Sequence, residues 1–307
     1  HETGFGGREE ARAALREAYK AYENSIMKCE HHFSEDKFIY KDASHEFRDI
    51  VISDFCLEYK HGRTPNPCVI CNPDIKFRLL TETADALGAP YVATGHYAKT
   101  VYDEARGAHF IASTASKKDQ SYMLYRLPQE IISRLIFPLA EFAEKESVRN
   151  IARKNGLSSA EKSDSQEICF VEDDDYAKFI TDYSGYKPKE GDILDVNGNV
   201  IGKHRGLIYY TIGQRKGIGA YGRPMFVMKI DAENNTITLG EKGMEFSNEL
   251  TAYDVNFVSG EFPKENMLIT AKVRYQAPPA AAMLCPQKDG TVKLMFPEPQ
   301  RAVTPGQ

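Results

Sequence analysis

The sequence predicts an α/β domain with a mainly parallel sheet, followed by two small all-β domains. Up to about residue 183, helical patterns alternate with short strand patterns, which is typical of an α/β layer. From residue 184 the helical period disappears and segments of alternating polarity follow one another. We therefore predict an α/β domain at residues 1–183, a β-rich domain at 184–247 and a third domain at 248–307.

The α/β half begins with a charged amphipathic pattern at residues 8–25, which predicts a helix, and residues 37–40 form a short strand candidate. Ser44 is placed to cap a second helix, which Gly62 ends. The apolar face of that helix is predicted to consist of Phe47, Ile50, Val51 and Phe55.

Two more helices and a strand complete the α/β pattern. One helix ends at Gly88 and another at Gly156, and the segment PYVATGH between them predicts a strand that runs into a glycine turn. The two helical stripes consist of Phe77, Leu80, Ala84 and Leu87, and of Val148, Ile151 and Ala152.

The second half carries hairpin signals. Asn197-Gly198 lies between two alternating segments, and Asn234-Asn235 repeats the pattern. Residues 267–279 and 291–303 also have the character of strands. We expect two small units with a break near residues 246–252.

Composition excludes several classes of protein. The chain has 307 residues, a formal net charge of -5 and no apolar run of the roughly 18 to 20 residues that a membrane-spanning helix needs. The negative charge argues against a protein that coats nucleic acid non-specifically, although a local basic face is compatible with it. Six cysteines do not make a disulfide scaffold in a chain of this length, so we predict a reducing, cytoplasmic location.

The segment PNPCVICN places Cys68 and Cys71 in a Cys-x-x-Cys pair between prolines, and we predict a loop there. The spacing alone permits a metal site, a redox disulfide or a nucleophile. Cys169, in SDSQEICF, could meet Cys71 at the carboxyl edge of the sheet, although two unrelated cysteines would also explain the pattern. No matching pair completes a zinc site. A solvated turn accounts best for the metal-capable group Cys29, His31 and His32.

Three further stretches carry polar groups of functional type. Gly95 and His96 end a strand, where a ligand could approach the backbone closely. Residues 116–127 gather charged and amide groups before a short apolar helix, which suits phosphate contacts or an ordinary helix start. Residues 202–219 interleave basic and aromatic groups, which fits RNA contact or a solvated hairpin, and these groups are Lys203, Arg205, Arg215, Lys216, Tyr209 and Tyr210.

Taken together, these stretches resemble one family. The segments GRTPNPCVICNPDIKF, ATGHYAKT, KDQSYMLYRL, KSDSQEICF, GLIYYTIGQRKGIG, VRYQAPP and RAVTPGQ occur in the order found in the bacterial and organellar tRNA-specific 2-thiouridylases. The resemblance extends from about residue 37 to the end of the chain. It implies an N-terminal domain of the adenine-nucleotide alpha-hydrolase-like, PP-loop type and a last domain that is a β-barrel.

The family's reaction is the 2-thiolation of the wobble uridine of tRNA. The resemblance implies that ATP, with Mg²⁺, adenylates the 2-carbonyl oxygen, and that sulfur then replaces this oxygen. Cys169 would take a persulfide from an upstream sulfur carrier, and Cys71 would release the sulfur and leave a Cys71–Cys169 disulfide. Alternatively, Cys68, Cys71 and Cys169 would hold a [4Fe–4S] cluster that binds hydrosulfide.

The resemblance also assigns binding residues. Asn66, Pro67 and Cys68 would hold the target base, flipped out of the anticodon loop, and Gly95 would contact ATP. The tRNA contacts implied are His96, Lys118, Asp119, Gln120, Arg274, Tyr275 and Gln307.

The chain departs from the family pattern at both ends. The phosphate-binding Ser-Gly-Gly-x-Asp-Ser loop and the strands expected after VTPGQ are absent from the sequence. We expect a longer protein of which this chain is part. The alternative function is a tRNA-binding or iron–sulfur-carrying module that lacks ATP activation.

Overall fold

The computed structural model describes residues 39–161, 168–171 and 175–306. The predicted helix at 8–25, the group Cys29, His31 and His32, and the predicted tRNA contact Gln307 lie outside these residues. Of the predicted strand at 37–40, the described residues Ile39 and Tyr40 are not in a strand.

The first helix, α1, runs through three consecutive segments, Ser44–Phe47, the π-helical Arg48–Ile52 and Ser53–Lys60. Its N-cap is Ala43, not the predicted Ser44, whose backbone N–H instead donates to Asp42 Oδ1 at 2.9 Å. Val51 and Phe55 are buried as predicted, whereas Ile50 is exposed because the π-helical segment rotates it out of the apolar stripe. Gly62 follows the helix with φ +70°, as expected of a helix-ending glycine.

The second helix, α2, comprises Pro67–Cys71, the π-helical Asn72–Phe77 and Arg78–Ala86. The prediction of a loop around the two cysteines is therefore wrong. Pro67 occupies the first helical turn, where its missing N–H costs nothing. Pro73 lies inside the helix, and because it cannot donate to the preceding turn, the helix widens into its π-helical segment there.

The α/β layer contains a parallel pair of strands, β1 (Val92–Ala93) and β4 (Leu135–Ile136). Between them lie the antiparallel hairpin β2–β3 (Lys99–Asp103, Ala108–Ala112), a 3₁₀ turn at Ser121–Met123 and helix α3 (Gln129–Ile132). Helices α4 (Lys145–Lys154) and α5 (Tyr176–Ser184) follow, with a 3₁₀ turn at Ser158–Glu161 between them.

The core of this layer is apolar, and it departs from the predicted stripes. Phe77 and Ala84 of α2 are buried, but Leu80 and Leu87 on the same helix are exposed. Ile151 of α4 is exposed as well, so the stripe on that helix covers little of the core. The buried cluster is completed from the strands and the connecting turns by Val92, Ala98, Leu124, Leu127, Ile132, Leu135 and Phe137.

The central sheet has the strand order β6-β5-β8-β7, with β5 Gly191–Leu194, β6 Val200–His204, β7 Met225–Asp231 and β8 Thr236–Glu241. A 3₁₀ turn at Leu207–Tyr209 lies between β6 and β7. Both predicted hairpins are present. Gly198 (φ +86°) and Asn235 (φ +51°) supply the left-handed backbone that their turns require.

The last sheet has the order β10-β11-β12-β9, with β9 Phe246–Ala252, β10 Met267–Ala271, β11 Ala280–Pro286 and β12 Val292–Arg301. Residues 246–252, near which a break between the two units is expected, form β9 and pair with β12. The predicted fold class, an α/β layer with parallel strands followed by all-β units, is confirmed. The domain boundaries stay a prediction.

Specific contacts join the three parts. Ile208, after the central strand β6, packs into the cluster formed by Phe55 of α1 and Ile180 of α5. The last part contacts the α/β layer through an ion pair of Arg126 with Asp254 at 3.2 Å. In the described part of the chain, no helix has the length and apolar character that crossing a membrane requires.

Candidate catalytic and RNA-binding site

The two cysteines of PNPCVICN lie one turn apart at the beginning of α2. Asn66 is the N-cap, and its Oδ1 accepts a hydrogen bond from the backbone N–H of Cys68 at 3.2 Å. Cys68 and Cys71 are three residues apart and both are half-buried, so the helix presents the two thiols on one face. The helix start is thus built by Asn66 and Pro67, which hold it in place.

Cys169 lies near both of these thiols. A charge on Cys169 raises the pKa of Cys68 and of Cys71, so the Cys169 thiol lies within electrostatic reach of the pair. Burial is the largest effect and raises both pKa values, while the ammonium of Lys76 lowers them. Cys169 is exposed, and all three are free thiols.

The three thiols are candidates both for sulfur transfer and for holding a cluster. Within residues 39–161, 168–171 and 175–306, no three Cys, His, Asp or Glu side chains are arranged to hold a single metal ion. A [4Fe–4S] cluster on Cys68, Cys71 and Cys169 stays a prediction. The thiol pair Cys71 and Cys169 also fits sulfur transfer between cysteines.

An open cleft of about 350 Å³ lies at the carboxyl end of β1. Gly95, His96 and Gln120, three of the predicted site residues, line it together with Thr94 and Lys76. No atom lies within 4 Å of the place where a Cβ on Gly95 would be, so this face of the backbone is open to a ligand. Its position at the end of a parallel strand is the one where α/β sheets bind ligands.

His96 is a neutral imidazole in this cleft. Burial and the charge of Lys76 lower its pKa to about 4. Its Nδ1 lies 2.9 Å from Thr94 Oγ1, and its ring packs against Phe77 with 5.6 Å between ring centroids. At neutral pH the lowered pKa leaves His96 able to offer a hydrogen bond but no charge to this cleft.

In the segment Lys118-Asp119-Gln120, the side chains of Asp119 and Gln120 make hydrogen bonds to backbone groups of the protein. The Asp119 carboxylate accepts hydrogen bonds from the backbone N–H groups of Thr114 (2.7 Å) and Ser121 (3.2 Å). Gln120 accepts from the N–H of Tyr97 at 3.0 Å and donates its own N–H back to the Tyr97 carbonyl at 2.8 Å. Lys118 is exposed. Asp119 and Gln120 thus shape the turn, while Lys118 presents a charge on the surface.

Tyr122, which the sequence analysis missed, connects the cysteine helix to the last sheet. Its ring stacks on Tyr275 with 4.3 Å between centroids and 28° between planes. Its hydroxyl lies beside the Asn66 side chain, which lowers the pKa of the phenol, while burial is the larger effect and raises this pKa to about 12. The only sequence signal was its place two residues after Gln120.

Asn72 and Lys76 were also missed. Asn72 is 1% exposed, and its Nδ2 donates to the Met123 carbonyl at 3.0 Å. The charge of Lys76 lowers the pKa of the Cys71 thiol, and the same side chain lines the cleft at the end of β1. Its position five residues after Cys71 gave no signal, because in a regular α-helix that spacing lies on another face.

Arg274, predicted to contact tRNA, makes its described hydrogen bonds inside the protein. Its Nη2 donates to the Ile212 carbonyl at 2.9 Å and to Thr304 Oγ1, and burial lowers its pKa. It thereby ties the central part to the C-terminal segment. That segment in turn touches the residues before α2, since Thr64 N–H donates to the Pro305 carbonyl at 2.9 Å.

The basic and aromatic stretch 202–219 is only partly exposed. Tyr210 is 5% exposed, so it is a core residue and not a stacking surface. Arg205 lies over the Tyr209 ring at 4.0 Å, and Lys203 pairs with Asp192 at 2.6 Å. Arg215 faces a second open cleft of about 340 Å³ that Tyr221, Arg223 and several glycines also line.

Comparisons with known proteins match most of the chain. Three family models match in succession, a tRNA methyl transferase HUP domain at residues 27–173, a tRNA methyl transferase PRC-barrel domain at 177–241 and an aminomethyltransferase beta-barrel domain at 247–307. These descriptions speak of methyl transfer, whereas the similar relatives are named 2-thiouridylases.

The relatives are similar over most of their length. A tRNA-specific 2-thiouridylase MnmA of Acetivibrio thermocellus is 49% identical over 267 residues, which are 85% of this chain and 74% of the relative. The protein of the same name from Clostridioides difficile is 46% identical over 263 residues, 85% of this chain and 73% of that protein. The one from Clostridium beijerinckii is 44% identical over 262 residues, again 85% and 73%. The chain belongs to the tRNA-specific 2-thiouridylase family.

Proposed function

We propose that this protein is a tRNA-uridine 2-sulfurtransferase that thiolates the wobble uridine of tRNA at the expense of ATP. Family membership supports the transferase activity on tRNA. The observation that carries the chemistry is the approach of Cys169 to Cys68 and Cys71 beside a cleft at the end of β1.

The first step activates the uridine. A urea-type carbonyl is a poor electrophile, and adenylation of its 2-oxygen by ATP, taken as the magnesium complex, turns that oxygen into a leaving group. Gly95 offers an open backbone edge to the nucleotide, and Lys76 offers a positive charge in the same cleft. His96, being neutral, serves as a hydrogen-bonding group for the RNA or the nucleotide.

The second step transfers sulfur. The terminal sulfur of a persulfide on Cys169, loaded by an upstream carrier, attacks C2 of the base and displaces AMP. The Cys71 thiolate then attacks Cys169 Sγ and breaks the S–S bond, whose electron pair stays on the sulfur bound to the base. The products are 2-thiouridine and a Cys71–Cys169 disulfide, which a reductant must reopen. Exposure of Cys169 suits a thiol that meets a carrier protein.

The RNA would lie across the three parts of the chain. Asn66, Pro67 and Cys68 are proposed to receive the flipped base, and Lys118 to pair with a phosphate. Tyr275 is exposed enough, at 39%, to touch the RNA directly. For Asp119, Gln120 and Arg274, the proposed contribution to tRNA binding is to shape the surface, because their described hydrogen bonds are made within the protein.

The test is direct. The protein is incubated anaerobically with unmodified tRNA, ATP and a persulfide or sulfide donor, and the digested tRNA is analysed for 2-thiouridine by mass spectrometry. We expect ATP-dependent product from the wild type and none from Cys71→Ser or Cys169→Ser. Tight tRNA binding with no AMP and no thiouridine would instead support the alternative, a tRNA-binding module without turnover.

The iron–sulfur alternative has its own measurement. If sulfide were delivered on a cluster, the anaerobically reconstituted protein would bind iron and lose it in Cys68→Ala. Because the persulfide route uses only the thiols of Cys71 and Cys169, we expect no stoichiometric iron and retained thiolation in Cys68→Ala with a persulfide donor. Iron that is lost together with activity in this variant would contradict the persulfide route.

A further inference from the structure

We propose that Tyr122 is a positioning residue for the target uridine, which holds Asn66 through its hydroxyl and connects it to the last sheet through its stack with Tyr275. The inference rests on the proposed function, which assigns Asn66 to the base. It adds a residue to the site and a reason why the C-terminal part is needed for recognition of the base.

The backbone on both sides of Tyr122 is pinned. Before it, the Asp119 carboxylate binds the N–H and the hydroxyl of Ser121 at 3.2 and 2.5 Å. After it, the Met123 carbonyl accepts a hydrogen bond from Asn72 Nδ2 at 3.0 Å. Asn72 belongs to α2 and is fully buried, so the turn is fastened to the same helix that carries the thiols. The direction of the Tyr122 side chain is therefore fixed by its neighbours.

The side chain of Tyr122 has two distinct contacts. Its ring stacks on Tyr275 at 4.3 Å, an arrangement that adds a specific aromatic interaction to the burial of both rings. Its hydroxyl, which keeps its proton because burial raises its pKa to about 12, lies beside the side chain of Asn66 and interacts with it. Tyr122 also lies near Cys68, the next member of the proposed base pocket.

The consequence concerns the amide of Asn66. Its Oδ1 already accepts the N–H of Cys68, and the phenol supplies a second constraint on the same short side chain. An amide held at two points presents its remaining hydrogen-bonding groups in one direction, which is the condition for reading the edge of a base. Without the phenol, Asn66 would still cap α2 but would turn more freely about its side-chain bonds.

The experiment separates base recognition from backbone binding. Two short anticodon stem-loops are compared, one with uridine at the wobble position and one with an abasic site there, and the ratio of their Kd values measures what the base contributes. Tyr122→Phe keeps the stack and removes the hydroxyl. We expect this ratio to fall about fivefold, the value of one ordinary hydrogen bond, with the Kd for the abasic RNA unchanged.

Tyr125→Phe is the matched control, because it removes a hydroxyl from a nearby exposed tyrosine that has no part in the proposed site. We expect it to keep the wild-type ratio. A Tyr122→Phe protein that also keeps the wild-type ratio, or an equal fall in Tyr125→Phe, would overturn the inference. A wild type whose affinity does not depend on the wobble base would contradict the proposed function itself, and Tyr122→Phe is conservative enough to fold in either case.

Discussion

Gly62 allows the packing of α1 on the central sheet to be tested quantitatively. It ends α1 with φ +70°, and a Cβ built on it would lie 2.4 Å from Ile230 Cγ2. Gly88 ends α2 with φ +68°, and no atom lies within 4 Å of its Cβ position. Gly62→Ala therefore adds backbone strain and a steric clash, whereas Gly88→Ala adds the strain alone.

The two costs can be worked out separately. Placing a side chain on a left-handed residue costs about 1–2 kcal/mol, so Gly88→Ala should lower the free energy of unfolding by that amount. Overpacking of an ordered contact costs about 1–3 kcal/mol more. We expect Gly62→Ala to lose about 2–5 kcal/mol, measured by urea denaturation followed by circular dichroism.

A second substitution identifies the clash. Ile230→Ala removes Cγ2 and leaves only the Cβ of residue 230, 3.2 Å from the new methyl group. The Gly62→Ala/Ile230→Ala protein should therefore be more stable than the sum of the two single changes predicts. Equal losses for Gly62→Ala and Gly88→Ala, or strict additivity in the double variant, would refute the contact between α1 and the central sheet.

Four other predictions concern charged or titratable groups of the proposed site. Lys76→Gln should move the alkylation of Cys71 to higher pH, because the ammonium lowers the pKa of this thiol, and Lys76→Arg should leave the pH profile in place; the profile is measured with iodoacetamide and mass spectrometry. The pKa of His96 is lowered to about 4 in the folded protein, so the unfolded chain takes up a proton on this residue at a higher pH than the folded one. The free energy of unfolding should therefore fall as the pH drops from about 6.5 towards 4. His96→Phe should flatten this part of a curve of stability against pH. Lys118→Gln should reduce the salt slope of tRNA binding by about one with stability unchanged. Arg274→Gln should instead lower the unfolding free energy together with tRNA affinity, since its guanidinium joins two parts of the chain.

The features that the sequence predicted correctly depend on local chemistry. Gly62, Gly88 and Gly156 end helices with left-handed backbone, and the Asn197-Gly198 turn lies where its residue types require. In each case a residue of a few types adopts a backbone conformation that other residues avoid. Such signals do not depend on what packs around them.

The sequence-based predictions that are wrong concern residues whose conformation or burial is determined by tertiary packing. The prolines around the cysteines suggest a loop, yet Pro67 is favourable at a helix start and Pro73 is tolerated by a π-helical segment. Leu80 and Leu87 have the spacing of a buried stripe but face outwards. The tRNA contacts that the resemblance implies for Asp119 and Arg274 stay a prediction, and the folded chain gives both side chains hydrogen bonds within the protein.

The start of α2 is the point where these separate parts depend on one another. Thr64, three residues before Pro67, bonds both the Pro305 carbonyl and, through its hydroxyl at 3.2 Å, Thr211 Oγ1 of the central part. A Cβ on Gly306 would lie 3.0 Å from the Thr64 backbone, so the C-terminal segment rests directly on the approach to the cysteine helix. The thiols, their N-cap and the proposed base pocket are therefore held by residues from all three parts of the chain. Since a short helix start has little stability of its own, its geometry must come from these contacts, and changes far along the sequence should alter thiol chemistry without touching a cysteine.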